Sequence, residues 1–150
     1  MSDELSSLLA GVAGEYFVAA ELSRRGYIAS ITLRNTKGID IVCSNQEATK
    51  TVSIQVKTTR DSTRSWILDK KADNFRAKNL FYVFVTLNNG LTAPDYFVIP
   101  SEIVAKYTSA DHKKFLATPG RDGKKHNDNP VRKFNDKEGK YLNRWKILGL

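Results

Sequence analysis

The run LFYVFVTL, residues 80–87, most constrains what this chain can fold into. A continuous apolar stretch of β-branched and aromatic residues reads as a central strand buried on both faces. Such a strand needs a sheet around it and a covering layer on each side. The chain has 150 residues, 41% of them apolar, which is enough for one domain with a real core.

The remaining elements follow from periodicity and punctuation. Leu5, Leu8, Leu9, Val12, Ala19 and Leu22 recur at helical spacing, which predicts a helix over about Ser2 to Arg25. Ser2 or Asp3 would cap it, Gly26 would stop it, and Gly11 and Gly14 inside it suggest close packing. YIASITLR (27–34), IDIVC (39–43) and TVSIQVK (51–57) read as three strands, with NTKG (35–38) as a turn and SNQEATK (44–50) as a hairpin loop. RDSTRSW (60–66) is polar and irregular. LDKKADNFRAKN (68–79) carries Leu68, Ala72 and Phe75 on one helical face, with Asp69 a candidate cap. After the buried strand, YFVIP (96–100) is a fifth strand, and SEIVAKY opens a helix capped by Ser101. Residues 119–139 read as a long basic loop or lid, and Leu142, Trp145 and Leu148 suit a short packed helix. The expected fold is a single α/β domain over 1–150, its core over 2–110. A central mixed five-stranded sheet is flanked by helices in the order α-β-β-β-α-β-β-α.

Charge and composition limit the function. The net charge of +8 suggests a polyanionic partner. Residues 121–150 hold nine Lys and Arg against four Asp and Glu. This basic segment either follows a phosphate backbone or forms a solvated face. The single cysteine, Cys43, excludes an internal disulfide and a metal site built on cysteines; it lies in an apolar run and reads as a buried thiol. No run reaches the length of a membrane span, and the start MSDELSS is too polar for a secretory signal, so the expected location is the cytoplasm. No phosphate-binding glycine loop is present, and nothing points to a small organic cofactor.

Four residues do not fit a purely structural reading. At about 100° per residue, positions 8, 12, 15, 19 and 22 of the first helix fall within about 80° of arc. Four of them are apolar and the fifth is Glu15. A carboxylate there either has compensation or sits at the edge of the stripe and reaches water. Asp40 lies inside a strand, where Asp is depleted, unless it is a solvated hairpin-edge residue. Gly38 before it allows a turn or close approach of another chain segment. In the third strand Val52, Ile54 and Val56 share one face; Ser53, Gln55 and Lys57 share the other. Asp40 precedes Gln55 by fifteen positions, which suits neighbouring strands joined by one hairpin. Together, Glu15, Asp40, Gln55 and Lys57 converge at one end of a sheet.

That set suits phosphodiester hydrolysis. The reaction needs an activated water and neutralisation of charge on the phosphate, which a hard divalent cation supplies. Mg²⁺ (or Mn²⁺) takes oxygen ligands and keeps several waters. Asp40 would be the main ligand, Gln55 and the carbonyl of Val56 further ones, and Glu15 would hold a metal-bound water. Lys57 would stay charged beside them and act electrostatically.

The arrangement resembles the PD-(D/E)xK nuclease superfamily, with its restriction-endonuclease-like fold. The matching stretches are GEYFVAAELSRRGY around Glu15, KGIDIV around Asp40 and IQVKTT around Gln55 and Lys57. The first is particularly similar to archaeal Holliday-junction-resolvase-like members. Gln55 stands where the family usually has an acid, a D-QxK variant that resembles the Mrr-like members. The resemblance covers residues 8–100 and implies a metal-dependent deoxyribonuclease acting on structured or foreign DNA, often as a homodimer. The other reading is a catalytically inactive member that binds nucleic acid or a protein; the missing charge at Gln55 favours it. Candidate nucleic-acid contacts are Ser53, Thr58, Arg60, Arg64, Lys124, Lys125 and His126. For each, an ordinary surface role is the alternative. His112 falls on an expected surface helix.

Overall fold

The structure is a computed structural model and describes residues 4–33 and 37–150. The expected caps Ser2 and Asp3, and residues 34–36 of the first strand's end and the following turn, lie outside that range. Helix α1 spans Ser7–Arg24. Ser6 caps it, its hydroxyl accepting the Leu9 N–H at 3.2 Å. Five strands, β1 (Ile28–Ile31), β2 (Ile41–Ser44), β3 (Thr51–Thr59), β5 (Leu80–Thr86) and β6 (Asp95–Pro100), form one mixed sheet in the order β1-β2-β3-β5-β6. Only the β3–β5 pairing is parallel; the other three are antiparallel. The sheet and its flanking helices match the expected restriction-endonuclease-like topology.

Strand β5 is the run LFYVFVT, and all seven of its residues are buried. One of its faces meets α1: Phe81, Val83 and Val85 join Val52, Ile54 and Val56 under Ala10, Val18 and Leu22. Trp145 and Leu148, from a 3₁₀ turn over Trp145–Leu148, close this layer, whereas Leu142, expected on the same short helix, lies before the turn and packs on the opposite face. The opposite face carries Tyr82, Phe84, Phe97 and Ile99, covered by Trp66, Leu68, Phe134 and Val104. Val104 comes from helix α2 (Ser101–Ala117).

Much of that second layer departs from the expected elements. Residues 68–79 do not form a helix. Ser65–Asp69 is a strand, β4, followed by a 3₁₀ turn over Lys70–Asp73 that Asp69 caps. Its partner is β7 (Val131–Asn135), inside the stretch expected to be loop. The pair makes a separate two-stranded antiparallel ribbon. Trp66 and Leu68 face inward and Ile67 outward, a two-residue period. The indole N–H of Trp66 donates to the Val85 carbonyl at 3.0 Å, and its ring stacks on Phe84 at 4.9 Å. The ribbon needs a partner more than sixty residues away, which local periodicity does not register. Ser101 opens α2 from its first turn; its hydroxyl accepts the Ala77 N–H and donates to the Ala77 carbonyl.

Helix α1 is also rotated from expectation. Its buried line is Ala10, Gly14, Val18 and Leu22. Leu8 is 68% exposed, and Leu9, Tyr16 and Phe17 also face outward. The cause is Gly14: a Cβ there would collide with the Thr58 hydroxyl, so the bare backbone lets the helix settle against β3. Gly11, by contrast, has open space around it.

Candidate active site

The site is built where β2 begins beside β3. Ile41 pairs with Ile54, so Asp40, one residue earlier, lies next to Gln55. The Asp40 N–H donates to the Ile54 carbonyl at 2.9 Å, and Thr32 ties the same point to the end of β1 through its hydroxyl and the Ile39 carbonyl at 2.6 Å. Gly38, at φ +68°, makes the turn into Asp40. A side chain there would run into the Phe75 ring, so glycine answers both the backbone and the packing requirement.

The Asp40 carboxylate accepts the Val56 N–H at 2.7 Å. It therefore sits at the amide of Val56, the residue between Gln55 and Lys57. Burial pushes its pKa above the ordinary aspartate value, while the Val56 N–H and the Lys57 ammonium pull the other way. Asp40 is thus a partly desolvated carboxylate with a lysine close enough to act on its charge.

The four predicted residues come together in two pairs around Asp40. Glu15 and Asp40 line one small cavity of about 280 Å³, with Thr32, Leu8, Val12 and Leu33 at its edge. Gln55 and Lys57 line a larger cleft of about 870 Å³ on the opposite face of the sheet, with Lys37, Phe75 and Tyr82. Alternation along β3 makes this division unavoidable, because α1 covers the Ile54 and Val56 face. Asp40 lines the smaller cavity, and the Lys57 ammonium acts on its charge from the other face.

The donor set suits a hard cation, though only just. Among the described residues no group of three or more His, Cys, Asp and Glu side chains could hold a metal ion. Two carboxylates, Glu15 and Asp40, remain in the smaller cavity, the Gln55 amide faces the other cleft, and one Asp40 oxygen is already engaged by Val56. Mg²⁺ is commonly held by one or two carboxylates and several waters, so the set fits that ion and no more demanding one. Val56 itself is buried in β3.

The expected nucleic-acid contacts divide. Ser53 shares the Gln55 face, half-buried between Val42 and Leu80. The Thr58 hydroxyl is buried beneath Gly14, on the helix side. Arg60 holds the start of α1, pairing with Glu4 at 3.0 Å and donating to the Leu5 carbonyl at 2.9 Å. Arg64 donates to the Lys137 carbonyl and lies over Phe97. Neither arginine lines the Gln55–Lys57 cleft. Lys124 and Lys125 are exposed in the segment before β7, and His126 stacks on Phe115 with ring centroids 4.1 Å apart.

Sequence reasoning missed Lys70, Lys71 and Arg132, which line the Gln55–Lys57 cleft. Arg132 pairs with Asp73 at 2.9 Å across the cleft wall. The LDKKAD run contained the signal, but its reading as a helix gave those lysines no common direction.

No protein-family model and no curated protein matches the sequence. Solved structures do resemble the fold. A bacterial homing endonuclease, I-Ssp6803I, superposes with a TM-score of 0.59 at 13% identity, over 97% of this chain and 92% of that one. The Holliday junction resolvase Hjc of Archaeoglobus fulgidus, an archaeal hyperthermophile, gives a TM-score of 0.45 at 16% identity, over 84% of each chain. The likeness to the homing endonuclease, at low identity and over most of both chains, shows a shared fold.

Proposed function

We propose that this chain is a metal-dependent nuclease that hydrolyses phosphodiester bonds in DNA. The observation that carries the reading is the Asp40 carboxylate, seated on the Val56 N–H between Gln55 and Lys57, with Glu15 in the adjoining cavity. A fold shared with a homing endonuclease agrees with it by analogy. Asp40 and Glu15, which share the smaller cavity, would hold Mg²⁺ or Mn²⁺, with the Gln55 amide acting from the other face without joining Glu15 on one ion. When bound, the ion supplies charge stabilisation at the phosphate and a more acidic water. Lys57 would face the phosphate from the larger cleft and offset its charge, while Lys70 and Lys71 extend the positive wall.

A second reading rests on a specific observation. The Gln55 site has one carboxylate fewer than a three-acid centre, and no such centre exists among the described residues. A non-catalytic member that binds nucleic acid or a protein would need no more. The test is cleavage of supercoiled plasmid, linear duplex, single strands and a four-way junction with Mn²⁺ or Mg²⁺, beside Asp40→Asn. Metal-dependent cutting lost in the variant supports the nuclease. Equal silence from both proteins supports the binder.

The chain is further proposed to work as a pair of identical copies. The outer flank of α1 exposes Leu8, Leu9, Tyr16 and Phe17, and no Lys or Arg occurs from residue 4 to residue 23. A helix apolar on two sides wants a second partner. In a molecule of charge +8, a helix with no cation of its own from residue 4 to residue 23 is where two copies meet with least repulsion.

A further inference from the structure

Three quarters of the net charge lies in the last third of the chain. Residues 101–150 hold twelve Lys and Arg against six Asp and Glu. Part of this charge surrounds a cleft of about 530 Å³ between the second half of α2 and β7, lined by His112, Lys114, Phe115, His126, Arg132 and Lys133. Three rings stand nearly parallel along it: His112, Phe115 and His126, with centroids 5.9 Å and 4.1 Å apart in turn.

The rings fix the loop that closes the cleft. His126 is held on Phe115, and Asp128 pairs with His112 at 2.7 Å. Between them and α2, a turn closed by the Gly120 N–H and the Lys124 carbonyl at 2.9 Å presents Arg121, Lys124 and Lys125 to solvent. A basic loop is therefore pinned rather than trailing.

The cations divide into used and unused. Arg132 is committed to Asp73 and to the Asn129 carbonyl. Lys114 and Lys133 are exposed and make no ion pair among the described residues. Among those residues, Asp111 is the one acid on the cleft wall, and it has no basic partner. Arg132 also lines the cleft of Gln55 and Lys57, so the two depressions meet at that residue.

We propose that the cleft between α2 and β7, beside the candidate active-site cleft, binds the phosphodiester backbone of nucleic acid. Lys114 and Lys133 supply the principal contacts, and the pinned loop adds Lys124 and Lys125. Cations spread along an open cleft match a linear polyanion better than a single anion, whose binding needs donors converging on one point. This place in the substrate path rests on the nuclease reading, but the binding itself does not.

The test uses full-length protein carrying Asp40→Asn, without divalent metal, and labelled duplex DNA over a series of salt concentrations. Each phosphate left unneutralised lowers the slope of log affinity against log salt by about 0.9, so Lys114→Ala/Lys133→Ala lowers it by about 1.8. Lys106→Ala/Lys113→Ala, the same charge change on the other flank of α2, leaves the slope nearly unchanged. Excess inorganic phosphate fails to displace the duplex beyond its effect as salt. An unchanged slope in the first variant overturns the proposal, as does an equal drop in the control pair, which would mean bulk charge alone. Displacement by inorganic phosphate would overturn it in favour of a small-anion site. A reduced slope here, together with a native Asp40 protein that cuts no substrate with Mn²⁺ or Mg²⁺, would retain the cleft and reject the nuclease.

Discussion

The carboxylate of Asp40 and the backbone N–H of Val56 are joined by a 2.7 Å hydrogen bond. This bond fixes the start of β2 against the middle of β3, and with it the position of Asp40 relative to Gln55 and Lys57. Burial raises the pKa of Asp40, so the fold favours its protonated form. That contribution to stability is present at acid pH and fades as pH rises through the folded value. At neutral pH the charged carboxylate is a cost. Asp40→Asn keeps an acceptor for Val56 and removes the charge. It should abolish cleavage, leave DNA binding nearly intact and raise the melting temperature of the metal-free protein. Calorimetry beside the cleavage assay checks both; a lower melting temperature contradicts the account of Asp40.

Lys57 and Gln55 test the division of labour. Lys57→Ala should abolish cleavage, because no other lysine lies next to Gln55 along β3. Gln55→Glu should retain activity and bind Mn²⁺ more tightly, since an ionised acid replaces a neutral amide. Calorimetric titration showing weaker binding would refute this role for the amide.

The contact between Gly14 and Thr58 sets how closely α1 approaches the sheet. Gly14→Ala should destabilise the fold by about 1–3 kcal/mol, the usual cost of overpacking. Thr58→Ala should recover part of that loss in the double variant, as coupled neighbours do. Denaturant melts of the four proteins measure the coupling, and strict additivity would show that the two residues do not touch.

Cys43 is fully buried, and burial pushes its thiol up to about 11. A thiol reagent at neutral pH should leave the native protein unlabelled and react once denaturant exposes β2. Rapid labelling of the native state would place Cys43 at the surface.

Light scattering should give the mass of two chains for the native protein. Leu9→Glu/Tyr16→Glu, both on the outer flank of α1, should give one chain with unchanged circular dichroism. A native protein that stays monomeric at micromolar concentration rejects the pairing.

Residue pattern alone determined the central strand, the alternation of β3, and the placement of Asp40 beside Gln55 across one hairpin. These are local consequences of side-chain period and chain length. Tertiary structure decided the rest. The orientation of α1 depends on the fit of Gly14 against Thr58 and not on where the leucines lie. The segment around Trp66 is a strand because β7 pairs with it from far along the chain. The roles of Arg60 and Arg64 follow from carbonyls at Leu5 and Lys137 that fold back onto them. Each depends on contacts between distant residues, whose energies are not written in any short stretch of sequence.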